Sequence, residues 1–403
     1  YQARQDGVRA SCAEWSWGPL NRESFRLLLI GSTVVAAALT IWFGIPLLQS
    51  WSTPRMERVW VVSSRLGDDM ASTSPKEVLA GEPVNLYAVV ETTLHGRRRF
   101  FGPIDRMRLG ESGTEVVEVE AWSTWWNALE ILWFKVEPVY GFDNENFKSD
   151  FDPGDIRYNE RFMLAWGFRD QHAADTMPTG DDFPRVDVGT MRFKAQAVVR
   201  DVRDRVLDEA TSPGLDGVHA TMITEQPHRV TVRASGDALG IIQGYAGLPY
   251  VPVSNDLLAS AHPAGRFIGG TILDFWIATQ RALGAADMEF FGWEELGEWG
   301  TTVVDEMFLA EDGTYYYTYD PVRPVTFDEV RAGDLLSIED HVGVLYQDRS
   351  PGGGGDGVLN KWDRLLGGYF EPLRDMPVEE AFHSGITVYR LTVQVGPDAD
   401  VAR

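Results

Sequence analysis

From residue 27 to residue 48 the chain runs LLLIGSTVVAAALTIWFGIPLL, 22 positions without a charge. As a helix rising about 1.5 Å per residue, such a run measures about 33 Å, the thickness of a hydrocarbon layer. No other stretch restricts the fold as strongly, and it predicts a single transmembrane helix with Trp42 and Trp51 at one interface. Arg4, Arg9, Arg22 and Arg26 precede the run, while Arg55 and Arg58 follow it. That bias predicts a single-pass protein of a bacterial inner (cytoplasmic) membrane, N-terminus inside, with a large periplasmic or extracellular part. Gly31, Ser32, Ala36 and Ala37 would let other helices approach closely.

With 403 residues the chain exceeds one ordinary domain. Composition and hydropathy divide it into an N-terminal cytoplasmic or interfacial segment (1–26), the span (27–48), a linker (49–57), a β-sandwich domain (58–236), an α+β domain (237–395) and a tail (396–403). A formal charge of −24 argues against nucleic acid as a partner, because phosphate recognition rests on clustered basic side chains. One cysteine, Cys12, leaves no internal disulfide framework, iron–sulfur cluster or Cys-based zinc site. The seven histidines fall in no HExxH or facial-triad pattern, and there is no Walker loop or GxSxG elbow. The sequence therefore indicates neither a metal nor a cofactor.

Residues 58–64 alternate as a strand, and 84–94 are rich in β-formers. Residues 190–199 set Met191, Phe193, Ala195 and Ala197 against Arg192, Lys194 and Gln196, and 228–234 reads as a further strand. Strands at these intervals predict an all-β sandwich of immunoglobulin or fibronectin type, without the Cys–Trp–Cys core of antibody domains. Within it, Trp122, Trp125, Trp126, Leu129, Leu132 and Trp133 recur at helical spacing. That spacing allows an interfacial helix in contact with membrane or partner. The same stretch also reads as a strand over 129–136, with Leu129, Ile131 and Trp133 on one face.

Beyond Asp237 the composition shifts to helix, Gly-rich turns and then strands. The run YAGLPY (245–250), GTILDF (270–275) opening a helix, Gly333-Asp-Leu-Leu, His341-Val-Gly-Val and Asn360 together resemble the papain-like cell-wall amidase superfamily of NlpC and CHAP type. The resemblance covers about two-fifths of the chain. It implies a papain-like α+β fold in which a cysteine opens the central helix, a histidine begins the His-Val-Gly strand and a third polar residue orients the imidazole. The matching positions here are Ile272, His341 and Asn360, with Thr271 where the family has aspartate. A thiolate nucleophile is therefore replaced by a hydrocarbon, and the site is catalytically degenerate. Tyr250, Thr271, His341 and Asn360 become candidate binding residues, and Trp276, Tyr315, Tyr316 and Tyr317 candidate walls of an aromatic groove.

These readings converge on a non-catalytic, membrane-anchored structural or accessory subunit of a larger membrane complex, of the kind found in photosynthetic or respiratory assemblies. Its partners would be other subunits and the lipid bilayer. A second reading is a pseudo-amidase sensor that binds cell-wall peptide in the dead cleft. A third is a hydrolase in which His341 activates Thr271.

Overall fold

A computed structural model describes residues 55–94, 96–110, 114–122, 129–138, 158–163, 170–179, 188–214, 227–249, 269–285, 289, 291–338, 341–368 and 373–391. By compactness the chain divides into Tyr1–Pro54 and Arg55–Arg403, so every described residue belongs to the second unit.

The first thirteen strands build two sheets. They are β1 (Arg55–Arg65), β2 (Ala71–Ser72), β3 (Lys76–Leu79), β4 (Val84–Leu94), β5 (Arg97–Phe101), β6 (Arg106–Leu109), β7 (Glu115–Glu118), β8 (Leu129–Pro138), β9 (Tyr158–Phe162), β10 (Gln171–Ala173), β11 (Gly189–Arg200), β12 (Val206–Thr211) and β13 (His228–Arg233). One sheet runs β10-β4-β1-β2-β6-β7, with β5 also on β4; the other runs β3-β13-β11-β8-β9, with β12 on β11. Period-2 patterning explains their apposition: Val59, Val61, Leu86, Ala88 and Val90 from the first sheet meet Ile131, Trp133, Met191, Phe193, Ala195 and Val230 from the second in one buried cluster. The other face of the first sheet is also covered, with Val62, Val89, Phe100 and Met107 in a smaller cluster.

Trp133 is fully buried in the main cluster. The partner-contact expectation for that residue is corrected, because strand alternation puts Leu129, Ile131 and Trp133 in one row facing inward. Trp122 lies partly buried against the same cluster, and its indole nitrogen donates to Asp170. Trp125 and Trp126 lie outside the described residues.

The remaining strands form one eight-stranded sheet. In chain order the elements are α1 (Ala238–Gln243), α2 (Ile272–Ala282), α3 (Leu296–Trp299), β14 (Gly300–Leu309), β15 (Tyr315–Tyr317), β16 (Asp320–Pro324), β17 (Leu335–Ile338), β18 (His341–Gln347), β19 (Arg364–Gly367), β20 (Arg374–Pro377) and β21 (Ile386–Leu391). Spatially the order is β16-β15-β14-β21-β17-β18-β19-β20. Its two faces read off as alternating residues: Leu335, Val342, Val344 and Leu366 pack with Ile272, Leu273 and Trp276 of α2, whereas Leu336, Leu345 and Leu365 join Met307, Tyr315 and Phe382 on the other side.

The expected fold class, a transmembrane helix plus an all-β sandwich plus a papain-like α+β domain, is corrected. The described chain is mostly β-strand, with few helices. Among the described residues no helix is long and apolar enough to cross a membrane, so the expected single-pass inner-membrane placement is corrected to one without support there. The run 27–48, with Trp42, and Trp51 beyond it, lies outside the described residues. After Asp237 the described helices are short, and residues 300–391 carry the eight strands β14–β21.

Sandwich and eight-stranded sheet meet at β11. Thr190 donates its amide to the Ala246 carbonyl (2.8 Å) and its hydroxyl to the Gly244 carbonyl (2.7 Å), just past α1. Its Oγ1 also accepts from the Thr231 hydroxyl (2.8 Å), which accepts from Arg229 (2.6 Å). One residue on, Gly247 donates to the Leu373 carbonyl at 2.8 Å, which ties the same loop to the segment entering β20. Gly189 allows this approach: its φ is +129°, and an added Cβ would stand 2.8 Å from the Ala246 oxygen. Gly189→Ala is therefore expected to destabilise the protein by about 1–3 kcal/mol in chemical denaturation. An unchanged midpoint would show that the junction yields without cost.

Candidate functional site

The residues singled out by the amidase resemblance fall on α2 and on strands β18 and β19 with their flanks. Thr271 is the N-cap of α2 and forms a reciprocal capping box with Asp274. The Thr271 hydroxyl donates to Asp274 Oδ2 (2.7 Å) and accepts from the Asp274 amide (3.1 Å), and the Thr271 amide donates to the same carboxylate (2.8 Å). Burial pushes the Asp274 carboxyl above the usual range, against the lowering effect of these Thr271 hydrogen bonds. The hydroxyl is thus spent on holding the helix start.

Ile272 follows as the first helical residue. It is only 3% exposed and packs in the cluster shared with Val342 and Val344 of β18. A branched hydrocarbon there completes the helix–sheet core and offers no lone pair for attack. Trp276, one turn on, is buried in the same cluster.

His341 opens β18, pairs with Ile338 of β17 and is buried. Its ring stacks on Phe382 with centroids 5.1 Å apart and planes inclined by 25°. Asn360 is not beside it. β18 and β19 are antiparallel, and Gln347 pairs with Arg364. Asn360 precedes Arg364, so it belongs to the end of β18 away from His341, six residues or about 20 Å along the strand. There its Nδ2 donates to the Val358 carbonyl (3.1 Å) and to Asp356 (3.2 Å), and its Oδ1 accepts from the Trp362 amide (2.8 Å). Its backbone bridges Thr314 and donates to Asp363. Burial, joined by the charges of Asp348 and Asp356, pushes Asp363 up to about 7 against the two backbone amides it accepts. The anticipated histidine–asparagine pair is therefore not formed, and Asn360 organises an acidic turn instead.

The aromatic groove is likewise redistributed. Tyr315 is fully buried and donates its hydroxyl to the Phe382 carbonyl at 2.6 Å, and Tyr317 is buried in the same cluster. Tyr316 is half-buried, with its hydroxyl on Asp312 (2.9 Å). Tyr250 lies outside the described residues. The Gly333-Asp-Leu turn has a structural role: buried Asp334 takes a two-point ion pair from Arg390 of β21 at 2.8 and 2.7 Å and accepts the Arg331 amide at 2.8 Å.

Two partners escaped the sequence reading. Asp274 was announced by a Thr-x-x-Asp spacing ahead of an apolar run, the signature of a capping box. Phe382, far from His341 in sequence, carries no local signal. Among the described residues no group of three or more His, Cys, Asp or Glu side chains converges to hold a metal. Comparison of the chain with protein-family models, with curated proteins and with solved structures gave no match.

Replacement of Thr271 isolates the capping role. Thr271→Ala is expected to cost about 1 kcal/mol in thermal denaturation, and Thr271→Ser to recover most of it. Equal losses from both variants would assign the effect to packing of the Thr methyl instead.

Proposed function

We infer that the protein is a non-catalytic accessory subunit that acts by docking other proteins, with an amidase-type motif retained as framework. The observation that carries this reading is the first turn of α2. At the position where the amidases have their nucleophile, Ile272 is closed into the core, and the neighbouring hydroxyl of Thr271 is held by Asp274. The hydrolase alternative needs that hydroxyl delivered to His341, yet it both donates to and accepts from Asp274. The peptide-sensor alternative needs an aromatic groove, and Trp276, Tyr315 and Tyr317 are core residues. The reading draws on apolar side chains exposed at two hairpins, Val202 and Leu207 of β11–β12 and Tyr319 and Val322 of β15–β16.

Two measurements test the reading together. Incubated with muropeptides, the protein is expected to release no new amine and to be retained on insoluble murein no better than an unrelated acidic protein. Extracted from its source under mild conditions, it is expected to elute well above 45.0 kDa with defined companions. Cleavage abolished by Thr271→Ala or His341→Ala would overturn the reading in favour of an enzyme, and murein retention lost in a His341→Ala/Asn360→Ala variant in favour of the sensor.

A further inference from the structure

His228 stands apart from every residue discussed for the site. It begins β13, and with Val230 and Val232 it forms the row that this strand turns toward the sandwich interior. Ser63 holds the corresponding place on β1, after Val59 and Val61. Both are buried, Ser63 completely. The imidazole joins the two sheets: Nε2 lies 2.8 Å from Ser63 Oγ, and Nδ1 lies 3.2 Å from the Thr73 carbonyl. Because a carbonyl only accepts, Nδ1 carries the proton. Nε2 of the neutral ring then accepts from the Ser63 hydroxyl.

Thr73 lies in the crossover by which the chain leaves β2 in the first sheet and enters β3 in the second. β3 is a four-residue edge strand, paired in parallel with β13. We propose that His228 is an acid-operated latch on this crossover: a proton taken from solvent onto Nε2 loosens residues 73–79 and uncovers the edge of β13.

The step balances simply. Nε2 becomes a donor, the Ser63 hydroxyl must turn to accept, and Nδ1–H keeps the Thr73 carbonyl. The cost lies in placing a cation there. Burial opposes it most strongly, and the charges of Arg229 of β13 and Lys76 of β3 add to that, against the hydrogen bond to the Thr73 carbonyl, which favours the cation. The carboxylates beside them are engaged: Asp68 holds Lys76 at 2.7 Å and also takes Arg65 of β1, while Glu77 faces Arg229 and Arg233. Arg108 of β6, whose carbonyl accepts the Thr73 amide, is paired with Asp69. On β11, the partner of His228 is Phe193, an apolar core residue. The two ring nitrogens are already taken by Ser63 and Thr73, so no carboxylate bonds directly to the ring as a counter-ion.

Together these effects hold the folded imidazole down at about 4, against 6.5 for the free side chain. The unfolded chain therefore takes up the proton first as pH falls. Stability contributed by the neutral ring is complete above pH 6.5 and is lost between about pH 6.5 and about pH 4. Over that interval the folding constant should fall by up to about tenfold per pH unit on account of this one group.

The test uses the full chain. Imidazole NMR should show His228 as the Nδ1–H tautomer, neutral at pH 6, and hydrogen-exchange protection of the β3 amides should drop by at least tenfold on going from pH 7 to pH 4.5. His228→Gln, which keeps a neutral polar side chain, should lower by one proton the slope of folding stability against pH. An imidazole that titrates near 6.5 in the folded chain, β3 protection unchanged at pH 4.5, or an unaltered slope in His228→Gln would each overturn the latch. Should the variant fail to fold, the ring titration and the exchange data on the unaltered chain still decide.

Discussion

Burial of one strand on both of its faces sets the architecture. The first five residues of β11, from Gly189 to Phe193, are all buried. Met191 and Phe193 point into the sandwich, whereas Thr190 and Arg192 point away from it. An outward-facing sheet surface would ordinarily be wet, and here the loop that follows α1 covers it at Thr190, which is hydrogen-bonded to that loop, while Arg192 lies over the Tyr158 ring. The polar chain Arg229, Thr231, Thr190 and Gly244 satisfies groups that burial would otherwise leave costly. Sandwich and eight-stranded sheet thus belong to one compact unit.

That arrangement places the turn that opens α2 inside a packed interior. α2 lies on the sheet through Ile272, Leu273 and Trp276, and the same turn is closed by a box of hydrogen bonds. A cysteine amidase must keep this corner open and polar, because its nucleophile has to meet both imidazole and substrate. Here the corner is apolar, and the imidazole of His341 rests against Phe382. Asp334 with Arg390, and strand β18 with its neighbours, serve the sheet itself.

Local pattern made much of this legible. The β-rich run over 84–94 coincides with β4, the alternation around Met191 with β11, and the start of β13 with His228. The Trp-rich stretch was ambiguous because Leu129, Trp133 and their neighbours satisfy both the helical and the strand period. Pairing with β11 resolves it, since only the strand buries Ile131 and Trp133 together. Contacts made across long stretches of chain were not legible. Ser63 and His228 are separated by 165 positions, and β3 pairs with β13 over a similar span, so no local periodicity reports them. Asn360 failed for a related reason: its place depended on the register of β18 against β19, which the spacing of the motif does not specify.

The ends of the eight-stranded sheet carry one more consequence. Its outermost strand on one side, β16, reads Asp-Pro-Val-Arg-Pro, and the four-residue strand on the opposite side, β20, finishes in Pro377. A proline has no amide hydrogen to offer a newcomer, and a very short border gives it little to align with. Through these two borders, a second copy of the chain finds little to extend the sheet with.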